Sequence, residues 1–211
     1  KTALIGFAGA PWTIMTYMIE GGSSRDFIST RKWTWENRKQ VDALLETLIE
    51  STISFLCLLA KAGVDVLMLF DSWASIIPAT QREWLLIKPT QAIIEGVRKR
   101  GYFQPIIGFP KGIGEGLVKY VYETGVNAVG LDHGLDPLWV NKNLPLNFPV
   151  QGNLDPLSLI HASSQMFDDI EYILDTFSNR PHIFNLGHGI TPSTPTKNVQ
   201  LMVDQIRQRH K

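Results

Sequence analysis

Short apolar runs alternate along the chain with longer stretches in which apolar residues recur every three or four positions. Six runs stand out, at residues 2–8, 64–70, 105–109, 128–131, 148–152 and 182–186, and each closes on a polar or glycine-rich tip. Runs of four to seven apolar residues predict strands buried on both faces, as parallel sheets require, and the periodic stretches between them predict the crossover helices. The longest helical pattern, from about Trp35 to Ala62, places Val41, Leu44, Leu45, Leu48, Ile49, Ile53 and Leu56 at helical spacing. It stops at Gly63, and the same device of helix end, glycine and strand returns at Gly125 and more loosely at Gly101. Pro89 interrupts the stretch 81–99 and predicts two helices or one kinked helix there. Thr194 and Pro195 form an N-cap and first-turn pair for a closing helix bearing Val199, Met202, Val203 and Ile206.

Strand alternating with helix predicts an α/β fold, and the (β/α)8 TIM barrel is the architecture that fits. Such a barrel needs eight units, and six are visible, the first beginning in mid-strand at Lys1. The expectation is a single, incomplete barrel domain over residues 1–211 with its opening units missing. Two strand edges and part of a barrel interior are then expected to face water unless something covers them.

Charge changes this picture only by exclusion. Lys+Arg and Asp+Glu are both 20, so there is no basic excess of the kind a general nucleic-acid binder shows. A locally basic pocket for an anionic small molecule stays open. The single cysteine, Cys57, cannot form an internal disulfide and suits a reducing, cytoplasmic setting. No uninterrupted apolar run approaches the roughly 18–20 residues that cross a bilayer, so no membrane association is expected.

In parallel barrels the chemistry lies at the carboxyl ends of the strands. Those ends read Gly9-Ala10-Pro11-Trp12, Asp71-Ser72-Trp73, Pro110-Lys111-Gly112, Asp132-His133, Asn153-Leu154-Asp155 and Gly187-His188-Gly189. His188, between two glycines, is a candidate proton carrier or cationic contact on a backbone able to approach a ligand closely; an incidental histidine in a turn is the alternative. Asp71, Asp132 and Asp155 can serve as acids or bases, but capping a helix or pairing with a rim neighbour is the favoured reading. Trp12 and Tyr17 follow the first strand on a helical segment, where aromatics are usually core. The glycines around Lys111 (Lys111-Gly112-Ile113-Gly114) match no phosphate-loop spacing and read as a turn. Metal binding is not expected, because the lone cysteine lies mid-helix and the histidines form no ligand motif. No dinucleotide fingerprint is present.

Four stretches carry a resemblance to a known family. Ile5-Gly6-Phe7-Ala8-Gly9-Ala10-Pro11-Trp12-Thr13, continuing through Met15-Thr16-Tyr17-Met18 to Glu20-Gly21-Gly22, resembles a signature of the uroporphyrinogen decarboxylases. Phe70-Asp71-Ser72-Trp73-Ala74, Gln151-Gly152-Asn153-Leu154-Asp155-Pro156 and Asn185-Leu186-Gly187-His188-Gly189 resemble, in order, the family's motifs on its fourth, seventh and eighth strands. The resemblance implies strands 3 to 8 of a (β/α)8 barrel and a cofactor-free, metal-free carboxy-lyase. Such an enzyme converts the four acetate side chains of uroporphyrinogen III to the methyls of coproporphyrinogen III in heme biosynthesis. It also implies a cytoplasmic homodimer whose partner molecule is the porphyrinogen alone. Tyr17, Ser72 and His188 fall on the family's substrate-contacting positions. Tyr17 and Ser72 are expected to hydrogen-bond carboxylate arms; His188 is expected at a carboxylate too, with a possible catalytic share in proton handling.

The departures from the family are as specific as the matches. Its arginine-rich loop, of the form RQAGRY, has no counterpart in these residues, and neither does the aspartate that grips the pyrrole NH groups. The 211 residues taken alone are therefore expected to have little or no activity. Two alternatives remain: a zinc- or corrinoid-dependent methyltransferase of the same barrel superfamily, and a non-catalytic porphyrinogen-binding remnant.

Overall fold

A computed structural model of the chain describes residues 2–22 and 24–209; Lys1, where the opening strand was expected to begin, lies outside them. Internal contacts gather into two compact units, one ending at Val129 and the other starting at Gly130.

The first unit is built from strands β1 (Ile5–Gly9), β2 (Val66–Asp71), β3 (Ile106–Pro110) and β4 (Ala128–Gly130), with β4 entering it through Ala128 and Val129. They run parallel in chain order, with Phe7 opposite Met68, Met68 opposite Ile107 and Ile107 opposite Ala128. Alternation sends Leu67 and Leu69 to the helix-covered face and Met68 and Phe70 to the other, where Met68, Ile107, Phe109 and Ala128 form a cluster. That second face is closed over Met68 and Phe109 but open at β1, where Phe7 is 63% exposed although its ring packs edge-on against Phe70. Outside β1, the side chains of Leu4, Phe55, Leu59 and Val64 line an apolar groove along the strand. The open β1 edge foreseen from the count of strands is thus present in the first unit.

Helices α1 (Pro11–Glu20), α2 (Ile28–Glu36), α3 (Arg38–Lys61), α4 (Lys88–Lys99) and α5 (Gly116–Thr124) complete this unit. The single helix expected over Trp35–Ala62 is in fact two. Asn37 breaks it, because its backbone N–H and its side-chain amide both bond back to the Trp33 carbonyl and close α2. Periodicity missed this break because the apolar register starts only at Val41. Within the 24-residue α3 an 18-residue stretch has a mean hydropathy of 1.7, long and apolar enough to cross a membrane by length and composition alone. Glu46, Thr47, Glu50 and Ser51 interrupt the run in sequence, and the helix is apolar on average because its leucines and isoleucines outweigh them. Here α3 buries Val41, Leu45, Leu48 and Leu56 and packs against α1, α4, β1 and β2. Gly63 (φ +96°) and Gly125 (φ +80°) occupy the left-handed conformation foreseen after α3 and α5. Pro89 sits in the first turn of α4, where its missing N–H costs nothing, directly after a π-helical turn over Glu83–Ile87.

The second unit holds α6 (Pro137–Asn143), β5 (Val150–Leu154), α7 (Ser158–His161), α8 (Ser164–Thr176), β6 (His182–Leu186) and α9 (Thr196–Arg209). Strand β5 is buried throughout and pairs in parallel with β6 from Val150–His182 to Leu154–Leu186. The strand boundaries moved slightly from expectation: Asn153 and Leu154 belong to β5 itself and not to the loop after it. Helix α9 starts one residue after Pro195, whose carbonyl accepts the Asn198 N–H.

Candidate active site

In the first unit, three backbone segments meet at the carboxyl ends of β1, β2 and β3. Pro11 starts α1 at once after β1, so Trp12, Thr13 and Tyr17 lie within two turns of the strand end. The Ala10 N–H reaches back to the Phe70 carbonyl (2.7 Å) and the Lys111 N–H to the Asp71 carbonyl (3.1 Å), which joins the rim segments to each other. Trp12 is core, with its indole N–H donating to the Trp73 carbonyl (2.9 Å). Tyr17 is not core: it is 46% exposed and packs edge-to-face on Trp73, with ring centroids 6.3 Å apart. Ser72, half-buried, precedes that same tryptophan. The structure therefore brings Tyr17 and Ser72 to one rim, with Trp73 as their common support.

Beneath that rim lies Asp71. Its carboxylate accepts the Thr13 hydroxyl proton at 2.6 Å, and Thr13 Oγ1 in turn accepts the Trp73 N–H at 3.3 Å. Asp71 is 3% exposed, and burial pushes its pKa up to about 7 against the opposing pull of the Thr13 bond. Burial likewise raises the neighbouring Tyr120 phenol, so it stays protonated.

In the second unit the strand ends are organised by the backbone. Asp132 Oδ1 accepts the Gly134 N–H (2.9 Å) and Asp155 Oδ1 the Leu157 N–H (2.9 Å), the local turns that short acidic side chains favour. Asn153, 4% exposed, donates its side-chain amide to the carbonyls of Asp132 (3.0 Å) and Leu135 (2.7 Å) and staples the loop after β4. His182 Nε2–H donates to the Gly152 carbonyl, and burial lowers the pKa of that ring. His188 lies exposed in the loop after β6. The glycine before it lies tight against a neighbouring loop: a Cβ on Gly187 would come within 2.2 Å of the His133 amide nitrogen. Among the described residues, no group of three His, Cys, Asp or Glu side chains comes together as a metal site, and Cys57 is buried within α3.

Sequence reasoning treated Lys111 as part of a turn and gave Trp73 no role. The signal available was their place at the ends of neighbouring strands, but nothing local to either residue showed that one would lie over the other, as they do (Lys111 Nζ 6.0 Å from the Trp73 ring centre).

The fold and the sequence point the same way when set beside known proteins. A methyltransferase from Methanosarcina mazei superposes over all of this chain and 60% of its own, with a TM-score of 0.83 at 15% identity. At that identity the likeness shows the fold alone, a TIM-barrel-type α/β architecture. Uroporphyrinogen decarboxylase of Maricaulis maris is 45% identical over 208 residues, covering 99% of this chain and 60% of the relative. That of Novosphingobium aromaticivorans is also 45% identical, over 98% of this chain and 61% of the relative. The chain thus spans about 60% of the length of the curated relatives it matches. The family model described as uroporphyrinogen decarboxylase (URO-D) matches residues 1–209, and the chain belongs to that family.

Proposed function

We propose that the protein removes carboxyl groups from the four acetate arms of uroporphyrinogen, giving coproporphyrinogen on the route to heme. The observation that carries this reading is the family match over residues 1–209 together with the rim that gathers Tyr17 and Ser72 around Trp73. Each decarboxylation begins with protonation of the pyrrole ring carbon next to the one that bears the acetate arm. The cationic ring then accepts the electron pair of the breaking C–C bond as carbon dioxide leaves. A proton delivered to the resulting exocyclic methylene gives the methyl group, and loss of the first proton restores the pyrrole. Tyr17 and Ser72 hold carboxylate arms by hydrogen bonds, and His188 offers a further polar contact to an arm. Residues 1–211 act as one barrel domain in a cytoplasmic homodimer.

The family's arginine-rich loop and its pyrrole-binding aspartate are not among these residues, so the 211-residue chain by itself is expected to turn over slowly or not at all. An octacarboxylate bound without those cations is held weakly, and a cationic intermediate without its counter-charge is poorly stabilised.

The test is anaerobic incubation with uroporphyrinogen III, followed by oxidation and chromatography of the hepta- to tetracarboxylate products, on protein whose intact mass has been measured. A species heavier than 23.7 kDa that carries those two elements is expected to form coproporphyrinogen, and failure to do so refutes the assignment. A 23.7 kDa species is expected to give no product, and turnover near that of a full-length relative refutes the inactivity.

A further inference from the structure

The register of the first unit pairs Asp71 of β2 with Pro110 of β3. Ser72 and Lys111 are therefore the first residues beyond two adjacent strands, on backbones about 5 Å apart. Lys111 is half-buried. Its Nζ lies 6.0 Å from the centre of the Trp73 ring, the same ring against which Tyr17 packs. Among the described residues no carboxylate comes within 4.0 Å of it; the same holds for Lys39, Lys61, Lys88, Lys142 and Lys197, but those are exposed to water while Lys111 is half-buried. The nearest acid in sequence register, Asp71, is turned inward to Thr13 and is no counter-ion for it. A partly desolvated ammonium supported by an aromatic face and lacking an acid is a charge that an incoming anion can complete.

We propose that Lys111 is a carboxylate-binding residue of this rim: its ammonium, held over Trp73 beside Ser72 and Tyr17, receives one carboxylate arm of a polycarboxylate substrate. The inference rests on the decarboxylase reading for the identity of that substrate. It assigns a cation to a rim whose other two candidate contacts, Tyr17 and Ser72, are neutral. Lys111 contributes to binding and orientation.

Calorimetric titration of the 211-residue protein with uroporphyrinogen III, kept reduced and at low ionic strength, tests it. Lys111→Met is expected to weaken binding about tenfold, the loss of one charge-assisted contact, and to flatten the salt dependence of the affinity. Lys111→Arg is expected to restore both, and Lys119→Met, which alters a lysine paired with Glu83, to leave both unchanged. Near-UV circular dichroism of each variant confirms that the tryptophans keep their packing; should Lys111→Met lose it, Lys111→Gln takes its place. Binding by the wild type that Lys111→Met leaves within twofold overturns the role of Lys111 and spares the decarboxylase reading. Absence of binding by a folded wild-type chain at millimolar porphyrinogen overturns this inference, whereas the decarboxylase reading stands or falls with product formation by the heavier species.

Discussion

Aspartates stand at strand ends in both units, yet the two units treat them in opposite ways. In the second unit Asp132 and Asp155 each accept a backbone N–H two residues ahead, closing a local turn. In the first unit Asp71 is sealed beneath the rim, and its side chain is held by Thr13, 58 residues away in sequence. The difference shows that a carboxylate's chemistry follows from what surrounds it and not from its place at a strand end. A turn-bound aspartate spends its carboxylate on the local backbone, as Asp155 does in a half-exposed position. A buried one without a cation holds its proton to near neutrality, while the Thr13–Trp73 bonds it anchors order the rim above it.

The largest effect should come from Asp71 as pH changes. Its carboxyl ionises at 3.8 in the unfolded chain and at about 7 when folded, so folding binds a proton throughout that window. Stability therefore falls as pH rises from about 4 to 7 and is flat beyond, a loss on the order of 4 kcal/mol. Asp71→Asn keeps an acceptor for Thr13 and carries no charge, so its unfolding curves should lose that slope and exceed the wild type at pH 8. Parallel pH profiles for the two proteins in urea unfolding refute the burial argument.

Gly187→Ala probes the backbone-organised unit instead. The new methyl would meet the His133 amide at 2.2 Å, and the two loops must part, at about 3 kcal/mol. A midpoint shift in denaturant unfolding below a third of that breaks the picture of a tight junction there. Asn153→Ala should cost roughly 2 kcal/mol, because two backbone carbonyls lose their buried donor. Its hydrogen-exchange signature is faster exchange confined to residues 131–136, and unchanged protection there counts against the staple. The smallest change is expected for Asp155→Ala, about 0.5 kcal/mol, since one half-exposed turn bond is exchanged for water. If Asp155→Ala instead matched the pH behaviour of Asp71→Asn, the contrast between the two units would fail.

Much of the fold was legible beforehand because its signals are local. Each of the six apolar runs became a strand, the glycines at 63 and 125 took the left-handed turns, and Pro89 marked the boundary it was expected to mark. The break at Asn37 escaped because a polar residue closing a helix on Trp33 leaves no trace in apolar spacing. The membrane-length character of α3 escaped because counting uninterrupted runs overlooks a helix that is apolar on average despite Glu46 and Glu50. For the candidate site, order along the chain placed Tyr17 and Ser72 at strand ends. Only the packing showed Tyr17 exposed and Trp12 buried, though both lie on one short helix and read alike as aromatics.

By itself, the sequence determined the alternation of strand and helix, the glycine turns and the motifs that mark the family, since each is written in neighbouring residues. Which aspartate is buried, which glycine touches a backbone and which lysine is left half-buried without an acid were decided by tertiary structure alone. Those properties depend on desolvation and on distances between segments brought together by strand register, and spacing along a chain records neither.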